Sequence, residues 1–304
     1  MSIEIIGPEA EAHLDWIALS DTLAEGHLLP RAEVGDTLLG RGRDTLLTRS
    51  AWIDGMGLAV KAATIYPDNH KRGAPNVNGV VALFSDQDGM PEAYIDFALL
   101  TKWKTAADSL LAARRLARPG PHEILIVGAG TVALSMFEAY SAAFTGAHFT
   151  VWTRNPQSAR RFADKTGATV AGDLESAVRN AKIIATATMA HEPLIKGAWL
   201  QPGTHLDLIG AFTPDMREAD SDCFARARVF VDARATTMNH IGELMVPLAE
   251  GAITKTDIVA DFYDIAAGDF TRRSDDEITI SKNGGGAHLD LMTARYILGA
   301  WRSR

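Results

Sequence analysis

The chain has 304 residues, enough for about two domains with substantial cores. Its formal net charge is −8, and its apolar and charged fractions, 47% and 22%, are ordinary for a globular protein; nucleic acid and anionic membrane surfaces, which reward clustered Lys and Arg, are not expected as partners. No apolar run reaches the length of a membrane span, "MSIEIIGPEAEAHLDW" lacks a basic-then-apolar leader pattern, and the single Cys223 excludes a disulfide framework, so a cytoplasmic location is expected.

In chain order, "AWIDGMGLAVKAATIYP" and "NVNGVVALFSDQDGMPEAYIDFALL" read as strands. The second carries a hairpin signal at Asp88-Gly89, so antiparallel pairing is expected. A helix begins near "TKWKTAADSLLAARRLA". The segment "RPGPHE", with Pro119 and Pro121 bracketing Gly120, then breaks the chain and marks a domain boundary.

From Glu123 onward the pattern changes. The short, β-branched runs "EILIVG", "FTVWT", "ATVAG", "KIIATAT", "THLDLIG", "RVFVDA" and "EITIS" alternate with helical patterns such as "TVALSMFEAYSAAF", "NPQSARRFADKTG" and "DLESAVRNA". Several of the strands are apolar throughout, as parallel strands covered on both faces are. The alternation predicts an α/β fold with a doubly wound parallel sheet. At the far end, "GGGAHLDLMTARYILGAW" passes from three glycines into an amphipathic helix.

Within "ILIVGAGTVALSMFEAY" the residues Gly128, Gly130 and Ala133 form G-x-G-x-x-A between an apolar strand and a helix. That context is the one a dinucleotide site needs. Gly128 permits the tight turn, Gly130 lets the pyrophosphate approach, and Ala133 allows the helix to pack on the strand. The N–H groups of Thr131 and Val132 open the helix toward a phosphate.

An NAD-preferring site shows an Asp or Glu about twenty residues further on. Here the segment is Trp152-Thr153-Arg154-Asn155, with no acid. Arg154 offers a planar cation suited to a 2′-phosphate, and Asn155 can cap the next helix and donate to the phosphate. Arg160 and Arg161 fall on that helix's solvent side. NADP(H) is therefore expected in preference to NAD(H). The alternative for Arg154 is a solvated surface charge. Thr188 and Met189 follow the strand "IIATAT" at its C-terminal end, where ligands bind in such sheets, and are further candidates for cofactor contact.

The segments "LAVKAATIYP", "TKWKTAADSLLAA", "ILIVGAG", "ATATMAHEPL", "HLDLIGAFTPDMREAD" and "ISKNGGGAHLDLMTA", in that order, resemble the ornithine cyclodeaminase / mu-crystallin family from about Arg49 to Trp301. The resemblance implies a homodimer of two-domain chains. A Rossmann domain, expected over 119–285, binds the cofactor. An α+β substrate-binding and dimerisation domain is expected over 1–118, completed by the C-terminal helix in 286–304. The family's chemistries share an imine next to a carboxylate. Cyclodeaminases oxidise ornithine with a tightly held NAD⁺, ketimine reductases reduce cyclic imino acids with NAD(P)H, and some members are alanine dehydrogenases.

The resemblance also distributes roles. Lys61, in "LAVKAAT", is on a strand where it faces either the interior or water; the family places a lysine here at the substrate carboxylate or imine. A desolvated lysine can donate a proton near neutrality. Lys104 stands where the family usually has arginine for the substrate carboxylate; lysine keeps the charge and loses the two-pronged grip. Thr105 can donate to carboxylate or cofactor. Arg49 is the candidate for a second carboxylate cation, in competition with Arg31, Arg41 and Arg43. Asn283 and Asp290, with Lys282 and Gly284, match a pattern that positions the nicotinamide; Asp290 can equally be a helix-start acid.

Cyclodeaminases carry an acid two positions after a glycine, where this chain has Gly210-Ala211-Phe212. Phe212 moves no proton, and Asp215 substitutes only if its loop turns inward. Metal and hydrolase motifs are absent: His191-Glu192 lacks a second histidine, no G-x-S-x-G occurs, and Cys223 reads as a core residue. The expectation is thus an NADPH-dependent reductase acting on a small imino acid, Δ1-pyrroline-2-carboxylate or Δ1-piperideine-2-carboxylate. The alternatives are ornithine cyclodeaminase, alanine dehydrogenase and a non-catalytic NADPH-binding protein.

Overall fold

The computed structural model describes residues 3–120 and 122–304; Met1, Ser2 and Pro121, one of the two prolines read as a chain break, lie outside the described residues. Contacts divide the chain into two compact units, Met1–Thr105 with Gly286–Arg304, and Ala106–Gly285.

The first unit is built on a six-stranded sheet. In chain order it contains β1 (Glu4–Ile6), α1 (Trp16–Gly26), β2 (Glu33–Arg41), β3 (Asp44–Ile53), β4 (Gly57–Ile65), β5 (Val77–Phe84) and β6 (Pro91–Asp96), then the start of α2 (Phe97–Leu116). The strand order is β1-β6-β5-β4-β3-β2. All neighbours are antiparallel except β1 with β6. The Asp88-Gly89 hairpin joins β5 to β6, with Gly89 at φ 69°. Neither β1 nor β2 was expected from the sequence; the residues of β2 are exposed along its whole length and so lack an apolar alternation. Helix α2 starts four residues before the expected "TKWK" because Asp96 accepts a hydrogen bond from the Leu99 N–H at 2.7 Å, fixing the first turn earlier.

The second unit is an eight-stranded, wholly parallel sheet. Its elements are β7 (Glu123–Val127), α3 (Thr131–Ala143), β8 (His148–Trp152), α4 (Pro156–Thr166), β9 (Thr169–Val170), α5 (Leu174–Asn180), β10 (Ile183–Thr186), β11 (His205–Leu208), α6 (Ser221–Ala225), β12 (Arg228–Val231), α7 (Arg234–Thr237), α8 (Gly242–Ala249), β13 (Ile258–Ala260) and β14 (Thr279–Lys282). The order β13-β12-β14-β11-β10-β7-β8-β9 reverses direction between β7 and β10, the switch point where such sheets bind ligands. Strands β10, β11 and β14 are buried at every residue; β10 accordingly runs almost wholly apolar, whereas β11 and β14 bury the polar His205, Asp207, Thr279, Ser281 and Lys282 among their apolar residues. Every strand predicted after Glu123 is present; β13, only three residues long, is too short to carry a periodic signal.

The last helix, α9 (Ala287–Arg302), belongs to the first unit. It packs on β3, β4 and α1. Arg295 donates from Nε to the Met56 carbonyl at 2.6 Å, and Tyr296 accepts the Asp15 N–H at 2.7 Å. No described helix is long and apolar enough to cross a membrane.

Candidate active site

In the first unit, a cluster of buried charge forms on one face of the sheet. On β4 burial alternates, placing Ala59, Lys61 and Ala63 on the covered face. Lys61 is therefore an interior lysine, 6% exposed. Its Nζ lies 2.7 Å from each oxygen of Asp290 on α9 and 5.9 Å from the centre of the Phe97 ring. Burial lowers the Lys61 pKa; Asp290 opposes that shift, while Lys104 and Arg49 add to it.

Arg49 sits opposite Lys61 in the register of β3 and β4. It donates from Nε and Nη2 to Asp36 on β2, at 2.9 and 2.8 Å. Among the competing arginines, Arg41 pairs with the half-buried Asp44 and Arg43 with the exposed Asp68. Lys104, in the second turn of α2, is 7% exposed, and no described residue pairs with its ammonium. Thr105 beside it is half-buried. His288 on α9, which sequence reasoning missed, faces the same cations: burial, then His27, Lys104 and Arg49, hold its imidazole well below the usual range and so neutral. An isolated histidine two residues before an acid gave no pattern to find.

A buried, unpaired ammonium is costly, and proteins tolerate one where an anion completes it. Asp36 engages Arg49 and Asp290 engages Lys61, while Lys104 has no ion-pair partner among the described residues.

The second unit carries the phosphate loop. Gly128 has φ 123°, and a Cβ there would lie 2.5 Å from the Ala187 carbonyl, so only glycine fits between β7 and the end of β10. A Cβ on Gly130 would meet open space, and no side chain caps the α3 N-terminus. The first N–H groups of that helix, at the exposed Thr131 and Val132, thus have room for a pyrophosphate, and these residues fit a dinucleotide. Ala133 is fully buried against the sheet.

After β8, Arg154 is exposed and makes no ion pair among the described residues. The Asn155 side-chain oxygen caps α4, accepting from Gln157 N and Ser158 N at 3.0 and 3.4 Å. Arg160 and Arg161 are exposed, as expected. Met189 is exposed, whereas Thr188 is turned to its own framework: its N–H and hydroxyl both donate to Glu218 at 2.7 Å.

Glu218 is one of several buried acids the sequence reading missed. It also accepts from Thr186 Oγ1 and Gly210 N, both at 2.7 Å, tying together the loops after β10 and β11. Glu243 on α8 accepts the Glu218 and Ala219 N–H groups, and burial beside Glu218 raises its pKa to about 7. Asp207, inside β11, accepts from Tyr140 and is raised to about 6 by burial. An acid inside the otherwise apolar "HLDLIG" was the available signal. Asn283, 4% exposed, donates to Ser109 and Asp207 at 2.7 and 3.3 Å, while its Oδ1 is buried without a partner among the described residues. Lys282 is fully buried and donates to the Leu208 and Asn283 carbonyls.

The loop after β11 points away from acid chemistry. Phe212 is 59% exposed. Asp215 is also exposed and pairs with His191 at 3.2 Å, so it does not turn inward to replace the missing acid. Cys223 is a buried core thiol.

A parallel, doubly wound nucleotide-binding sheet with a glycine loop at its switch point, joined in one chain to a sheet carrying buried cations, defines a two-unit dehydrogenase-like protein. The chain belongs to the ornithine cyclodeaminase/mu-crystallin family, whose pattern matches residues 51–304. It is 48% identical over 296 residues to the Delta(1)-pyrroline-2-carboxylate reductase of Paracoccus denitrificans, covering 95% of this chain and 94% of that one. Among solved structures, the Thermococcus litoralis Delta(1)-pyrroline-2-carboxylate reductase in complex with NADH and L-proline superposes with TM-score 0.89 at 26% identity, over 99% of this chain and 98% of that one. An archaeal alanine dehydrogenase dimer with bound NAD superposes with TM-score 0.89 at 26% identity, over 100% and 97%.

Proposed function

We propose that this protein is a homodimeric reductase of cyclic imino acids, converting Δ1-pyrroline-2-carboxylate to L-proline and Δ1-piperideine-2-carboxylate to L-pipecolate, with NADPH preferred over NADH. The observation that carries this reading is the largely buried Lys104 side chain, with no ion-pair partner among the described residues, beside Lys61 and Arg49. The near-full-length similarity to a Delta(1)-pyrroline-2-carboxylate reductase supports it.

Lys104 and Arg49 hold the substrate carboxylate, which fixes the orientation of the ring and its C=N bond. Lys61 donates a proton to the imine nitrogen, because an iminium is the better hydride acceptor. The glycine loop, Thr131 and Val132 hold the pyrophosphate, and Arg154 takes the 2′-phosphate. When bound, the reduced nicotinamide supplies the hydride that goes to the imine carbon. Asn283 positions the cofactor with its unpartnered Oδ1. The exposed Phe212 and Asp215 weigh against ornithine cyclodeamination, which needs an acid at the substrate amine.

The test is NADPH oxidation followed by absorbance with each cyclic imino acid, beside NADH and an assay for ammonia from ornithine and NAD⁺. Turnover of the imino acids with NADPH favoured is expected. Ammonia release from ornithine without imino acid reduction would overturn the proposal.

A further inference from the structure

Resting on the reading of Lys61 as proton donor, we infer that Asp290 is a positioning residue for the reaction: it keeps the Lys61 ammonium charged and holds its Nζ in place for proton delivery to the substrate nitrogen. The family pattern points to Asp290 as a group near the nicotinamide. The geometry instead binds it to the lysine, with both carboxylate oxygens 2.7 Å from Nζ.

The surroundings explain why Lys61 needs such a partner. It is buried on β4, with Arg49 opposite on β3, Lys104 approaching from α2, and the neutral His288 and the carboxylate Asp290 on α9. Its neighbour on β5 is the apolar Val81, and Phe97 covers it from the start of α2. Asp36, the other carboxylate in the cluster, is engaged by Arg49. Among the described residues, Asp290 is therefore the one carboxylate pairing with Lys61. Without it, desolvation and two neighbouring cations all act to strip the proton from the lysine. Asp290 itself lies in the first turn of α9.

Stability alone does not account for the pair. Replacing a buried ion pair by apolar residues of similar volume is often neutral or stabilising, so stability gives little reason for this pair. The charge is spent in reduction: Lys61 gives one proton to the imine nitrogen as the hydride reaches carbon, leaving a neutral amine that Asp290 then holds for reprotonation from solvent. In the reverse direction the neutral amine accepts the proton from the product nitrogen.

The experiment compares pH profiles of kcat/KM for imino acid reduction in the wild type, Lys61→Met, Asp290→Asn and Asp290→Glu, with NADPH affinity measured in each. Lys61→Met tests the underlying reading: near-wild-type reduction would remove Lys61 as donor. If Lys61→Met is inactive with NADPH affinity kept, the Asp290 variants decide the inference. In Asp290→Asn the alkaline limb is expected to move to lower pH by about 1 to 3 units, because loss of the carboxylate lowers the lysine's pKa and reduction needs it protonated. The limb for proline oxidation, which needs the neutral amine, is expected to move in the same direction. Should Asp290→Asn not fold, Asp290→Glu carries the test: it displaces the carboxylate, and a smaller shift of the same sign is expected. A limb that stays at its wild-type pH in the variants that fold, with rates lowered evenly across the profile, overturns the inference and leaves Asp290 a structural residue.

Discussion

Arg49 lies directly across from Lys61 in the antiparallel pair of β3 and β4. Like charges in facing positions disfavour a sheet, and here the two are made tolerable by Asp36 on one side and Asp290 on the other. On the proposed function, Arg49 also contributes to holding the substrate carboxylate. Arg49→Ala is expected to raise KM for the imino acid about 10- to 100-fold, the worth of a charge-assisted hydrogen bond, with NADPH affinity unchanged. Steady-state kinetics in both substrates checks this.

Lys104 makes the opposite demands on stability and function. Its side chain is buried and has no ion-pair partner among the described residues, so Lys104→Met, which keeps the length and removes the charge, is expected to raise the melting temperature of the unliganded protein by a few degrees. The same substitution is expected to weaken imino acid binding at least as much as Arg49→Ala does. L-proline should raise the melting point of the wild type and leave that of the variant unmoved. A variant less stable than the wild type would show that the charge is satisfied without a ligand.

Arg154 projects from the turn after β8 with no ion pair among the described residues. Arg154→Ser is expected to raise KM for NADPH roughly 10- to 100-fold and to leave NADH nearly unaffected, because only the former carries a 2′-phosphate for the guanidinium to hold. Equal losses with both cofactors would assign the arginine a structural task.

The buried acids of the second unit set part of the pH dependence of stability. Burial raises Glu243 to about 7 from 4.5 and Asp207 to about 6 from 3.8. For a group whose folded pKa is raised, the stabilising contribution is complete below the unfolded value and is lost as pH climbs through the folded one. These two carboxyls therefore favour the fold up to about pH 4 and withdraw that support between pH 4 and 7. The buried His205, depressed to about 3 from 6.5, acts with the opposite sign over much of the same range, so absolute melting curves mix the two. A difference measurement separates them. Glu243→Gln cannot ionise, and its melting temperature is expected to fall less than that of the wild type between pH 6 and 8. Parallel curves would mean that Glu243 is already ionised at pH 6.

The parallel sheet was legible because its central strands are buried on both faces and its strands are bounded by turn residues. The glycine loop was legible because the chain admits no side chain at Gly128. Lys61 was identified, but its direction was open until alternation along β4 placed it with Ala59 and Ala63. Its partner could not be read from sequence: Asp290 is 229 positions away, and nothing local to a helix-start acid names a distant lysine. The same holds for Glu218, which fell inside a recognised segment yet works by accepting four hydrogen bonds from the loops after β10 and β11. Long-range ion pairs are set by topology, and local pattern carries no record of them.

Helix α9 completes a unit whose other elements precede Ala106. During synthesis Lys61 thus leaves the ribosome long before its carboxylate exists, and the nucleotide-binding sheet is made in between. The six-stranded sheet must wait with its charged face unfinished until α9 is added. A premature stop anywhere in that interval, even one that spares every strand, yields a chain lacking the acid, the seal over β3 and β4, and the means to hold the lysine's proton.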